Sequence, residues 1–259
     1  MIRVVVCGAC GRMGRLIVRQ VAGQKDMRLV GAVEAPGAGE IGSDAGELAG
    51  VGKLGVPVTG AEKLHELLAS QRPDVLVDFT NAASAVENVR RAAEAGVSVV
   101  VGTTGFTGEQ REAMEGAIRK NGIRAVISPN MSVGVNVFFK AVEETARMLG
   151  REYEVEIVEV HHVHKRDAPS GTAKRVAQIV AGVLGKRDDE IKIRSIREGE
   201  VVGDHTVIFS GQNDRIEITH RALSRETFAA GVIKAIRYVF REAPPGKICD
   251  MQDVLGLGR

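Results

Sequence analysis

The opening of this chain constrains its fold more than any other stretch. Ile2-Arg3-Val4-Val5-Val6-Cys7 is apolar apart from Arg3, the pattern of a strand buried on both faces, and it runs into Gly8-Ala9-Cys10-Gly11-Arg12-Met13-Gly14, with glycines three apart. This reads as strand, tight turn and a helix over about 12–24. A second strand at 28–34 ends in Glu34, about 20 residues beyond the third glycine. Strands at 75–79, 97–101 and 124–127 then alternate with helices at 82–95 and 107–120. Apolar strands separated by helices predict a doubly wound α/β domain with a parallel sheet. The glycine-rich stretch 35–60 breaks the rhythm and reads as loop, with a short strand at Val56-Pro57-Val58.

The glycine turn is a variant of G-x-G-x-x-G with one extra spacing residue, weak alone and stronger in context. A buried strand precedes it, the free N–H groups of a helix follow it to meet a pyrophosphate, and Glu34 is placed to accept hydrogen bonds from an adenosine ribose. Ala35 follows Glu34 where a basic residue would grip a ribose phosphate, so NADH is expected to serve well, while Arg12 or Lys53 leaves NADPH open. Two further loops, Phe79-Thr80 and Gly102-Thr103-Thr104-Gly105, lie at the carboxyl ends of predicted strands, where open parallel sheets bind ligands.

Beyond Ser128-Pro129-Asn130 the pattern changes. A helix at 133–149 precedes a segment that sets Glu154, Glu156 and Glu159 against Val155, Ile157 and Val160, read as a sheet open to water on one face. A helix at 171–184, strands including 206–209 and 215–220, and a last helix capped by Ser224 complete a smaller α+β domain with a mixed open sheet. Between these elements lies Glu159-Val160-His161-His162-Val163-His164-Lys165-Arg166-Asp167-Ala168-Pro169-Ser170-Gly171-Thr172-Ala173, the densest chemistry in the chain. Ser170 can cap a helix starting at Gly171, whose backbone donors with those of Thr172 suit a carboxylate, and the imidazoles and ammonium upstream can protonate what that carboxylate anchors. Zinc is a poorer use of the cluster, because only His162 and His164 share a strand face and Lys165 repels a cation, so no metal is expected. A nucleophilic role for Ser170 lacks the G-x-S-x-G elbow, and Lys165 needs only to donate protons or pair with negative charge.

Composition narrows the partners. A net charge of +2 over 259 residues and 3% aromatics offer no nucleic-acid footprint, and no apolar run has membrane-spanning length. Cys7, Cys10 and Cys249 are too scattered for a disulfide framework, and the start lacks a signal-peptide layout; both favour a cytoplasmic protein. Cys7-Gly8-Ala9-Cys10 spells C-x-x-C but reads as turn filler in this context.

The glycine turn, the Gly102–Gly105 loop, Ser128-Pro129-Asn130, the Glu159–Ala173 segment and the terminal Asp250-Met251-Gln252-Asp253-Val254-Leu255-Gly256 closely resemble the dihydrodipicolinate reductases of lysine and diaminopimelate synthesis over essentially the whole chain. The resemblance implies a Rossmann-like dinucleotide-binding domain at 1–127, a substrate-binding and oligomerisation domain at 128–238, a return to the first domain at 239–259, and a homotetramer. It implies hydride transfer from NADH or NADPH to C4 of a conjugated imine ring bearing two carboxylates. His161 and Lys165 become the catalytic pair, and His162, Ser170, Gly171 and Thr172 bind the carboxylates together with Lys165. Gly8, Gly11, Arg12, Met13, Gly14, Glu34, Phe79, Thr80, Gly102, Thr103, Thr104, Asn130 and Met131 are expected around the cofactor. Met131 stands where many members carry an aromatic residue near the nicotinamide; a thioether can fill that space. Among rivals, a semialdehyde dehydrogenase needs a cysteine at the domain junction, and none lies between Cys10 and Cys249. An aspartate dehydrogenase remains open, and a non-enzymatic nucleotide sensor leaves the histidine segment without a purpose.

Overall fold

The computed structural model describes residues 1–258. The chain forms two compact units, one of Met1–Met131 with the residues from Phe228 onward, the other of Ser132–Thr227.

In the first unit, β1 (Ile2–Cys7), α1 (Arg12–Ala22), β2 (Met27–Glu34), α2 (Ala45–Ala49), β3 (Val58–Gly60), α3 (Leu64–Gln71), β4 (Val75–Asp78), α4 (Ala82–Glu94), β5 (Ser98–Val101), α5 (Gly108–Asn121) and β6 (Ala125–Ile127) follow one another. With a late strand they build a seven-stranded parallel sheet. The alternation of β1 shows why both faces are covered: Ile2, Val4 and Val6 enter one apolar cluster with Ile17, Val18 and Val21 of α1, while Val5 and Cys7 enter another with Leu64, Val89, Ala92, Met114 and Ile118 from α3, α4 and α5. Each Val, Leu, Ile or Met among them, fully buried, contributes roughly 1.5–3 kcal/mol before entropy is counted.

Two elements differ from the expectation of a 35–60 loop with a short strand at 56–58. Asp44 caps α2 through Gly46 and Glu47 and also accepts from the backbone N–H groups of Leu54, Gly55 and Val56, so one carboxylate gathers the loop. A five-residue helix held by a cap carries no apolar periodicity to read. The strand there begins at Val58, after Pro57, because proline cannot donate to the ladder.

The second unit comprises α6 (Val133–Leu149), β7 (Glu154–His161), α7 (Gly171–Leu184), β8 (Lys192–Arg197), β9 (Asp204–Ser210) and β10 (Arg215–Arg221). Its sheet runs β10-β9-β7-β8, with β7 and β8 parallel and the other pairs antiparallel. Val135, Phe138, Phe139 and Val142 of α6 and Val176, Ala177 and Val180 of α7 share a core with Ile157, Val207 and Phe209. Within β7 the expected pattern of outward acids needs correction. The strand's two-residue period puts Glu159 with Ile157 and His161 on the buried face, and Val160 on the other.

The chain then returns to the first unit through α8 (Glu226–Arg241), β11 (Ile248–Cys249), which pairs with β6, and α9 (Met251–Val254). The division falls at 131/132 and 227/228, whereas the sequence analysis drew it at 127/128 and 238/239. The reason is packing: Ala229, Val232, Ile233, Ile236 and Val239 of α8 join the core of β1 and α1. Arg237 also donates to both carboxylate oxygens of Asp26 at 2.9 Å. Among the described residues no helix is long and apolar enough to cross a membrane.

Candidate active site

The glycine turn after β1 is built by close approach. Gly8 has φ +78°, and a Cβ there would sit 2.5 Å from the Phe79 carbonyl oxygen; a Cβ on Gly14 would strike the backbone of Gly8 and Ala9. Gly11 caps α1 without any side-chain hydrogen bond, so the helix's first N–H groups are left for an anion. Glu34 at the end of β2 accepts from Cys10 N at 2.9 Å and Ala35 N at 3.0 Å, tying the turn to the neighbouring strand. A cavity of about 500 Å³ opens here, lined in part by Gly8, Gly11, Glu34, Phe79 and Thr80. The cradle that a Cβ on Gly8 would fill and the open helix end suit a dinucleotide pyrophosphate. Burial and the Glu34 charge push the Cys10 thiol up to about 11, which disfavours the thiolate that redox work needs.

The other expected cofactor residues lie away from that lining. Arg12 and Thr104 are exposed, and Asn130 is half-buried. Met13 packs partly buried against the core, while Met131 is 2% exposed within it. Gly102 lies beneath the Phe79 ring, which a Cβ would penetrate. Thr103 is committed to Asp78, a residue that the sequence analysis missed. Asp78 Oδ1 accepts from the hydroxyls of Thr103 at 2.6 Å and Thr80 at 2.8 Å, its Oδ2 accepts from Asn88 at 2.8 Å, and Thr80 N donates to Thr103 Oγ1 at 2.9 Å. One buried carboxyl thus joins the loops after β4 and β5. Burial raises its pKa against the pull of those hydrogen bonds. The signal was a lone acid in the apolar run Val75-Leu76-Val77-Asp78.

In the second unit β7 ends at His161, and residues 162–170 form the loop into α7. Ser170 caps α7 by accepting from Ala173 N at 3.1 Å, and its hydroxyl also meets His205 Nε2 at 3.0 Å. Gly171 is exposed with open space around it, so an anion can reach the helix's amino end. Thr172 is half-buried beside it. Lys165 Nζ lies 2.8 Å from both oxygens of Asp167. The His162 ring lies near that of His164, and its Nδ1 is buried with no hydrogen-bond partner, an orphaned polar atom of the kind a ligand satisfies.

The centre of this region is Glu159, fully buried on β7. It is hydrogen-bonded to His161 Nδ1, and its other oxygen accepts from Arg197 Nη2 at 3.0 Å and Ser170 N at 3.4 Å. Burial works to raise its pKa, and bonds from Ser195 and Arg197 with the His161 charge overcome this and hold it below the usual carboxylate range. Burial pushes the His161 imidazole down despite Glu159, and the His205 imidazole down to about 3. Glu159, His161 and His205 offer possible metal-ligand atoms within 4.8 Å of one another. The guanidinium of Arg197 already supplies the positive charge on that carboxylate, so the set suits an ion-paired acid–base group better than a cation. Arg197 further donates to the backbone oxygens of Asp167 at 2.6 Å and Lys165 at 3.3 Å, pinning the loop.

Comparison with known proteins bears on both units. Residues 2–131 match the family model for the dihydrodipicolinate reductase N-terminus and residues 134–255 that for its C-terminus. The chain is 50% identical to the 4-hydroxy-tetrahydrodipicolinate reductase of Methanothermobacter thermautotrophicus, covering 99% of this chain and all of that protein. It is also 50% identical to the corresponding Methanocaldococcus jannaschii protein, covering 99% and 98%. A dipicolinate-bound dihydrodipicolinate reductase from Paenisporosarcina sp. TG-14 superposes with a TM-score of 0.80 at 27% identity, covering 98% of each chain. An amine dehydrogenase from Mycobacterium smegmatis, at TM-score 0.63 and 16% identity, shares the fold alone. With both halves matched and half of its residues shared end to end with such relatives, the chain belongs to the dihydrodipicolinate reductase family.

Proposed function

We propose that His161 and Lys165 are the catalytic groups of this chain, and that His162, Ser170, Gly171 and Thr172, with Lys165, bind its substrate's carboxylates. The chain is an NAD(P)H-dependent oxidoreductase of lysine and diaminopimelate biosynthesis, a 4-hydroxy-tetrahydrodipicolinate reductase. When bound, the nicotinamide supplies hydride to C4 of the dihydrodipicolinate ring, giving tetrahydrodipicolinate.

The residues of the chain do the rest. The first unit binds the nucleotide: the amino end of α1 takes the pyrophosphate, Glu34 keeps lone pairs for ribose hydroxyls, and Asp78 orders the Phe79–Thr80 and Gly102–Thr104 loops. Arg12, Met13, Gly14, Asn130 and Met131 complete this reading, with Met131 packed into the core. With Ala35 following Glu34, NADH is used well, and Arg12 or Lys53 leaves NADPH open. The second unit binds the dicarboxylate at the amino end of α7, with His162 Nδ1 as a further partner. Lys165 neutralises charge at the ring nitrogen, and His161 delivers or polarises the proton that accompanies the hydride. No metal takes part. Three free cysteines fit a cytoplasmic setting, and the family reading brings a homotetramer assembled through the second unit's sheet.

The single observation that carries this reading is the uncovered helix start at Gly171, flanked in one unit by the buried Glu159–His161 pair and the Lys165 ammonium. The test is to follow NADH and NADPH oxidation with freshly generated dihydrodipicolinate synthase product. Turnover with either coenzyme is expected, and its absence with both defeats the reading.

A further inference from the structure

In sequence Glu159 heads the histidine segment but reads as one of the outward acids of its strand, and none of the roles assigned above to the proton donors or the carboxylate binders falls to it. Yet it is fully buried, it meets the side chain of His161, and it is further held by Arg197 Nη2 at 3.0 Å, Ser170 N at 3.4 Å and a bond from Ser195. The consequence for His161 follows from counting hydrogens. A neutral imidazole carries one N–H, and a carboxylate only accepts, so the hydrogen lies on Nδ1 and Nε2 is left with a lone pair. Nε2 has no hydrogen-bond partner among the described residues and is not among the sealed, unpartnered atoms, so it keeps contact with solvent. Gly203 stands next to it, and a Cβ there would come within 3.0 Å of Nε2. The His205 ring packs edge-on against that of His161, with ring centroids 5.0 Å apart.

We propose that Glu159 is the positioning residue of the reaction, holding His161 by Nδ1–H so that Nε2, beside the gap left by Gly203, is the nitrogen that exchanges the proton. This rests on the catalytic reading of His161. In the step itself, hydride adds to the ring carbon, the displaced electron pair of the conjugated imine moves toward nitrogen, and one proton from the Nε2–H of the imidazolium satisfies the product. His161 becomes neutral, regains its proton from water, and Glu159 stays a carboxylate throughout.

The groups around His161 set the pH behaviour. Glu159 on β7 favours the imidazolium, while Arg197 on β8, Lys165 on the loop and burial oppose it; His205 on β9 is held uncharged by its own burial. Glu159→Gln keeps the shape and removes the one favourable charge. It is expected to lower kcat about tenfold or more with KM within about threefold, and to move the alkaline limb of the kcat–pH profile toward acid. Glu159→Asp, which keeps the charge, should recover part of the turnover. In a His161→Gln background Glu159→Gln should cost nothing further.

Wild-type turnover and an unmoved limb in folded Glu159→Gln overturn the proposal, as does a loss that adds to that of His161→Gln. Wild-type turnover in His161→Gln alone overturns instead the catalytic reading on which it stands. Should Glu159→Gln fail to fold, ¹⁵N-histidine NMR of the wild-type enzyme with NAD⁺ bound decides: the Nδ1-protonated tautomer is expected at His161, and the Nε2-protonated one overturns the assignment.

Discussion

The Lys165 ammonium sits 2.8 Å from each carboxylate oxygen of Asp167, two positions along the chain. The lysine side chain is 21% exposed and its partner 60%, so the pair is open to water on the aspartate side. The Lys165 charge holds the Asp167 carboxyl below its usual range. A substrate dianion reaching this ammonium therefore competes with an anion already there. Lys165→Ala is expected to lower kcat on the order of 10²-fold, within the range of lost proton donors. Asp167→Asn should change stability by less than about 1 kcal/mol, because exposed pairs contribute little. Steady-state kinetics and urea unfolding of the two variants check both statements; full turnover in Lys165→Ala removes this residue from the chemistry.

Thr172 lies in the first turn of α7, next to the open Gly171. Its loss should leave the proton donors in place and chiefly weaken the hold on a carboxylate. Thr172→Ala is expected to raise KM and the dipicolinate dissociation constant about 5- to 20-fold, the cost of roughly one charge-assisted hydrogen bond, with kcat nearly unchanged. A fall confined to kcat would contradict this.

Gly8→Ala tests the glycine turn. Its φ of +78° and the Phe79 carbonyl 2.5 Å from a Cβ leave no room for a side chain. The left-handed conformation alone costs about 1–2 kcal/mol for an L-residue. The variant should melt several degrees lower, and its NADH affinity, followed by coenzyme fluorescence, should drop about tenfold or more as the turn moves away from the pyrophosphate. Wild-type melting together with wild-type affinity would show that the turn tolerates what its geometry forbids.

His205 predicts how stability depends on pH. Burial, then the His161 charge, push its imidazole from the ordinary 6.5 down to about 3. Between those values the unfolded chain holds a proton that the folded chain does not. Stability is therefore full above pH 6.5 and declines as pH falls toward 3, by at most about 1.4 kcal/mol per pH unit from this residue. His161 and His220, also lowered by burial, steepen the upper part of the decline. Unfolding free energies at pH 7, 6 and 5 should converge for wild type and His205→Gln as pH drops; parallel slopes would exclude His205 as the cause.

Much of the architecture was legible because it repeats locally. Continuous apolar runs marked β1, β2, β4, β5 and β6, and apolar spacing, joined by the Ser170 cap for α7, delimited α6 and α7 at 133–149 and 171–184. The candidate carboxylate site at Ser170–Thr172 was readable for the same reason, since a cap and its helix are neighbours in sequence. Asp44, which gathers five backbone donors across a loop, and α3 carried no such periodicity.

The chain by itself determined the alternation of the main strands and helices, the glycine turn, and the clustering of imidazoles and ammonium before Gly171, because these depend on residues within a turn or two of each other. Only the tertiary structure decided that α8 belongs with β1, that Asp78 binds two loops, and that Glu159 faces inward between His161 and Arg197. Arg197 lies 38 residues from Glu159 in the chain and His205 35 from Ser170, and they meet because β8 and β9 flank β7. Local pattern records which face a residue takes; which charges share that face depends on pairing between distant strands, and no short-range spacing encodes it.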